Sequence, residues 1–98
     1  MKKTTKIKDA PPALTVKLLD IENGFQTFEN VRLVRIKSRY YTLLIMRDHM
    51  PALGEMEGTL AILTQDREVL LDDVRGFYHL QHNQFTFIRS AKGAANDG

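Results

Sequence analysis

The sequence predicts an all-β fold, a small antiparallel β-sandwich, on three observations. Leu14-Thr15-Val16-Lys17-Leu18 and Phe85-Thr86-Phe87 alternate apolar and polar residues with period two, which sets one side of an extended chain against a core and the other in water. Turn-forming pairs separate the apolar segments: Asn23-Gly24, Gln65-Asp66 and His82-Asn83, with Pro51 closing a further turn after His49. No segment sustains the three-to-four-residue apolar spacing of a helix.

Each element follows from its own residues. Leu14 to Leu18 reads as the first strand, and Asn23-Gly24 supplies the pair that best tolerates positive φ in a tight hairpin. Phe25 to Phe28 is the return strand. Val31-Arg32-Leu33 alternates in one phase and Val34-Arg35-Ile36 in the other, so a bulge or a change of sheet is expected between Leu33 and Val34. Tyr40 to Met46 is apolar on both faces apart from Thr42, which predicts a central strand covered on one side by the sandwich core and on the other by a partner. After the His49–Pro51 turn, Leu60 and Ile62 share one face while Ala61 and Leu63 share the other. Val69 and Leu71 pair back across Gln65-Asp66. Gly76 interrupts the next apolar run, where a residue without a side chain permits a kink or the close approach of another strand. His82-Asn83 closes a hairpin onto Phe85 and Phe87.

Composition narrows the class. A chain of 98 residues makes one domain with one core. A 43% hydrophobic and 27% charged make-up is that of an ordinary folded domain. The Tyr40–Met46 run is far short of the roughly twenty residues that cross a bilayer as a helix, so no membrane insertion is expected. No apolar stretch separates the lysine-rich start from Asp9, Pro11 and Pro12, and a cytoplasmic location is the expectation. With no cysteine, disulfides, thiolate metal sites and cysteine nucleophiles are excluded. The formal charge is +2, and Lys2, Lys3, Lys6 and Lys8 more than account for it, so nucleic acid is a disfavoured partner. Residues 1–13 read as a flexible basic arm, 14–89 as the sandwich and 90–98 as a flexible tail.

Candidate chemistry is sparse. His49 lies between Asp48 and Met50 with no serine or cysteine nucleophile signature, which favours a hydrogen-bonded turn residue over a catalytic base. His79 and His82 lie on opposite sides of a proposed hairpin turn with no fixed third ligand, so no metal site is expected. Asp72-Asp73 points two carboxylates to opposite faces of a strand, where they cannot share a proton; a solvated strand end is expected. Arg35, Lys37 and Arg39 share a strand face. This stripe either binds an anionic partner or protects an edge strand from pairing with another chain. Tyr40–Met46 either is buried as a central strand or docks a partner, and Met46, Met50 and Met56 suit an irregular core or an adaptable surface alike. Neither a catalytic residue nor a cofactor is predicted.

The ordered series His49-Met50-Pro51-Ala52-Leu53, Gly58 to Leu63, Val69-Leu70-Leu71, Gly76-Phe77-Tyr78 and Asn83-Gln84-Phe85-Thr86-Phe87 resembles the amino-terminal β-sandwich domain of the rotary ATP synthase epsilon subunit. The likeness covers residues 14–89 and begins with Val16-Lys17 and Glu22-Asn23-Gly24. It departs from the family where Lys37-Ser38-Arg39 and Tyr40–Met46 replace a glycine-rich loop, where Arg75 replaces the first glycine of a pair, and where the spacing from Pro51 to Gly58 is one residue short. No segment corresponds to the family's carboxy-terminal helical hairpin, the inhibitory and nucleotide-sensing element. The resemblance implies a non-catalytic subunit that docks on the gamma shaft and the ring of c subunits through the histidine turn, with Asp48, His49, Met50 and Pro51 at the partner. Tyr41 joins this partner-binding set from the adjacent apolar run. The alternative is a free-standing interaction domain of the same architecture serving another assembly, such as a mobile-element or secretion accessory; a nucleic-acid binder ranks below both.

Overall fold

Six strands form in the computed structural model, which describes residues 13–90: β1 (Leu14–Asp20), β2 (Gly24–Ser38), β3 (Thr42–Ile45), β4 (Ala52–Thr64), β5 (Glu68–Gln81) and β6 (Gln84–Arg89). The predicted arm and tail lie outside the described residues except for Ala13 and Ser90. Among the described residues there is no helix, and the all-β expectation holds. The strands pair in the order β1-β6-β5-β4-β2-β3, and an added β1–β2 pairing closes the circuit. All pairs are antiparallel except β1 with β6.

The circuit flattens into two layers because its three long strands bend. In β2, Asn30 takes a left-handed φ of 56°, and the register against β4 slips between Val31 and Leu33. In β4 and β5 the slip falls between Gly58 and Leu60, opposite Asp73 at φ 57°. An extra residue in one strand of a pair locally raises the twist and turns the chain, which is how a strand passes from one sheet to the other. One layer then holds the start of β4, the end of β5, β6, β1 and the start of β2. The other holds β3, the end of β2, the end of β4 and the start of β5. The phase change expected between Leu33 and Val34 is real, and lies a step earlier. Asp72 and Asp73 sit at this bend and not at a strand end, where Thr59 donates a 3.2 Å hydrogen bond to Asp72.

Between the layers lies one core, built from Leu14, Val16 and Leu18 of β1, Val31, Val34 and Ile36 of β2, Ile45, Met56, Leu60, Ile62, Val74, Tyr78, Leu80, Phe85 and Phe87. Full burial of each large side chain contributes about 1.5–3 kcal/mol, so this cluster is what holds the sheets together. Two glycines let backbones meet. A Cβ on Gly58 would run into the carbonyl oxygen of Lys37, and one on Gly76 into the carbonyl of Ile88 and the ring of Phe87. The close approach foreseen for Gly76 is thus β6 itself.

One expectation is overturned. Tyr40–Met46 is not a central strand: only Thr42–Ile45 are extended, and they pair with β2 alone at the end of the sheet. The cause is local. Ser38 donates to the Tyr41 carbonyl at 2.8 Å, reversing the chain at once, and Asp48 at φ 63° turns it away again after Ile45. Only Ile45 is fully buried, while Tyr40, Leu44 and Met46 face outward. The basic stripe meets neither of its readings cleanly. The end of β2 lies between β3 and β4, so it is no edge to protect, and Arg35 and Arg39 face Glu68 and Glu57 at 3.5 and 3.8 Å.

Candidate protein-docking surface

The turn between β3 and β4 is held by a residue distant in sequence. β5 and β6 join through His82 and Asn83, both at positive φ (50° and 61°), the geometry of a two-residue type I′ hairpin. That conformation aims the Asn83 side chain at the neighbouring turn. Its Oδ1 accepts from the Asp48 backbone N–H at 2.6 Å, and its Nδ2 donates to Asp48 Oδ1 at 3.3 Å. The Asn83 carbonyl meanwhile accepts from Thr15 N–H at 2.9 Å. One asparagine therefore ties the hairpin, the start of β1 and the predicted partner-binding turn.

His49 donates its backbone N–H to the Met46 carbonyl at 3.2 Å, and its Nδ1 lies 2.7 Å from the Met50 carbonyl. Because a carbonyl only accepts, the ring carries its proton on Nδ1 there. With its imidazole turned to its own backbone, His49 is a turn-building residue. Met50 and Pro51 project outward beyond it, and Met50 is 71% exposed. Leu53, at the start of β4, is 78% exposed. Asp48, His49, Met50 and Pro51 thus stand together at one end of the molecule, presenting flexible apolar surface on a fixed backbone.

Tyr41 takes another role. Its hydroxyl donates to the Glu55 carbonyl at 2.6 Å and lies 3.1 Å from the Tyr78 hydroxyl. Tyr78 lies over Gly54, where a Cβ would come within 2.6 Å of the hydroxyl, and stacks on Phe85 with centroids 5.7 Å apart. Burial of the hydroxyl, reinforced by the Tyr78 hydrogen bond, pushes the Tyr41 phenol well above its ordinary range. It is a neutral clamp between β3 and β4. Asn83, Tyr78 and Leu53 were not singled out in the sequence as site residues. The Asn83 turn signal was visible there, but its reach to Asp48 was not.

These groups can hold and present a surface. Among the described residues no three of His, Asp and Glu gather as a metal site. A cleft between residues 27–30 and 64–67 is lined mainly by polar and charged side chains.

No known protein family and no curated protein matches this sequence. Solved structures do. A chain of the Tetrahymena thermophila mitochondrial ATP synthase central stalk and c-ring is similar at a TM-score of 0.65 and 15% identity, over 80% of this chain and 63% of that one. The fold is shared with a rotary ATP synthase chain. At this identity the likeness is one of architecture, and this chain spans less than two thirds of its neighbour's length. It agrees with the resemblance drawn from residues 14–89 at the level of a rotary-ATP-synthase-related fold.

Proposed function

We propose that this protein is a non-catalytic binding domain of the cytoplasm, an epsilon-type subunit that docks on the gamma and c subunits of a rotary ATP synthase. The observation that carries this reading is the Asp48–Pro51 turn: an exposed Met50 on a backbone anchored by Asn83, within a fold shared with a central stalk and c-ring chain. A fixed turn that presents a flexible thioether loses little backbone entropy on binding, and the thioether adapts to its partner. Asp48 and His49 shape the loop, Met50 and Pro51 make the contact, and Tyr41 keeps the neighbouring edge strand in place.

Capture by immobilised gamma and c subunits tests it. Wild-type protein is retained, and Met50→Asp reduces recovery at least tenfold with an unchanged melting temperature, since that side chain packs little in the free protein. Equal recovery of the variant would mean the turn is not the contact. No retention of the wild type would transfer the domain to another assembly.

A further inference from the structure

A second apolar surface lies on the outer face of the β2-β1-β6-β5 layer, made of residues from four strands. Phe25 pairs with Leu19, Leu19 with Ile88, and Ile88 with Phe77, so the four stand in one row across the strands. All four are open to solvent: 59%, 42%, 47% and 54% exposed in that order. The next row on the same face, Thr27, Lys17, Thr86 and His79, has the polar make-up expected of a wet sheet face. The apolar row does not.

Its order is aromatic, aliphatic, aliphatic, aromatic. A half turn about an axis along the strands, between β1 and β6, maps that row onto itself in kind, which is what an isologous interface requires. We propose that this face is a two-fold interface between two copies of this chain, with Phe25 of each against Phe77 of the other and Leu19 against Ile88. The same half turn sets Lys17 opposite Thr86 and His79 opposite Thr27, so no like charges meet along the flank. Glu55, the register neighbour of Phe77, falls beyond the Phe25 edge of the other copy and stays in water. Met50 lies in the turn before β4, outside the row, so the interface is independent of the docking turn.

Area sets the strength. The row offers roughly 400 Å² of side chain per copy, about half of what a standard interface takes from each partner. Ile21, Lys17 and Thr86 beside it add less. The dimer is therefore weak and reversible, with a dissociation constant on the order of 10–100 µM.

Sedimentation velocity of the full chain across that range reads it out. A monomer–dimer equilibrium is expected, and Leu19→Lys or Ile88→Glu alone weakens it at least tenfold without changing the far-UV spectrum. Mixing these two variants restores association, because the introduced lysine of one copy faces the introduced glutamate of the other. Mixing Leu19→Lys with Leu19→Glu restores less, because the two position-19 side chains lie one strand apart across the axis and do not face each other directly. Phe77→Ser weakens the dimer in the same way if a charged variant fails to fold. A monomer at every concentration, a dimer indifferent to these changes, or a mixture that stays monomeric would overturn the proposal.

Discussion

Two rows of side chains one residue apart run through the same strands and meet opposite fates. Leu18, Phe87 and Tyr78 point inward and are nearly sealed, with the Tyr78 ring over Gly54 completing the row. Leu19, Ile88 and Phe77 point outward and are half open, and their row ends at Glu55. Both rows are apolar, so hydrophobicity alone does not decide which of them is core. Pleat and register do, since successive side chains leave opposite faces and a slip of one residue exchanges them.

The contrast breaks most sharply at its two phenylalanines. Phe87→Ala is expected to cost about 3–5 kcal/mol, because the inner row cannot collapse around the cavity. Phe77→Ala should fall within about 1 kcal/mol at concentrations where the chain is monomeric. Urea unfolding of both at low protein concentration measures the difference, and comparable losses would mean the outer row is packed in solution. Gly76→Ala comes next, at about 1–3 kcal/mol, because its methyl would meet the Ile88 carbonyl and the Phe87 ring and push apart the strands that carry both rows. A neutral substitution in the same unfolding assay would show that β5 and β6 have slack there.

The sequence made the inner row legible and hid the outer one. Period two in Leu14–Leu18 and Phe85–Phe87 names the inward residues, and the turn pairs locate the hairpins that stack them. The longest apolar run, Tyr40–Met46, carries the pattern of a central strand, yet it yields only the edge strand Thr42–Ile45 because the chain reverses at Ser38 and Asp48 cuts it short. The signal for a two-faced layer lay in the apolar pairs Leu18-Leu19, Phe77-Tyr78 and Phe87-Ile88, each unremarkable alone. Only the register between distant strands aligns them. The candidate turn was half legible: His49 and Pro51 mark it, but the bond from Asn83 to Asp48 spans 35 residues and depends on a closed circuit of strands.

Register itself can be tested at the hairpin that sets it. Asn83→Ala removes both side-chain bonds to Asp48 and puts alanine, which tolerates a left-handed φ less well than asparagine, at φ 61°, for an expected loss of about 1–2 kcal/mol. Asn83→Gly keeps the left-handed turn and loses only the bonds, so it should recover part of that loss. Thermal melts of the two variants separate the contributions, and equal melting of both with the wild type would mean the hairpin is held by its strands alone.

The smallest effect is expected in the next row along the inner face, where two of the residues are charged. Asp20 is followed across the strands by Arg89 and Gly76, and Arg89 lies 3.1 Å from its carboxylate. The backbone N–H of Glu22, 2.9 Å from Oδ1, is the chief reason its pKa is held below the ordinary 3.8, with the Asn23 amide second and the Arg89 charge last. A carboxyl with a lower pKa in the folded than in the unfolded chain releases its proton more readily when folded. Its contribution is complete above the unfolded value and disappears as pH falls through the folded one. Asp20→Asn keeps the turn's shape but cannot ionise. The wild type should therefore exceed the variant in stability at neutral pH, and the gap should narrow as the solution is acidified below about pH 4. A gap that stays constant with pH would assign the effect to the shape of the turn and leave no part for its charge.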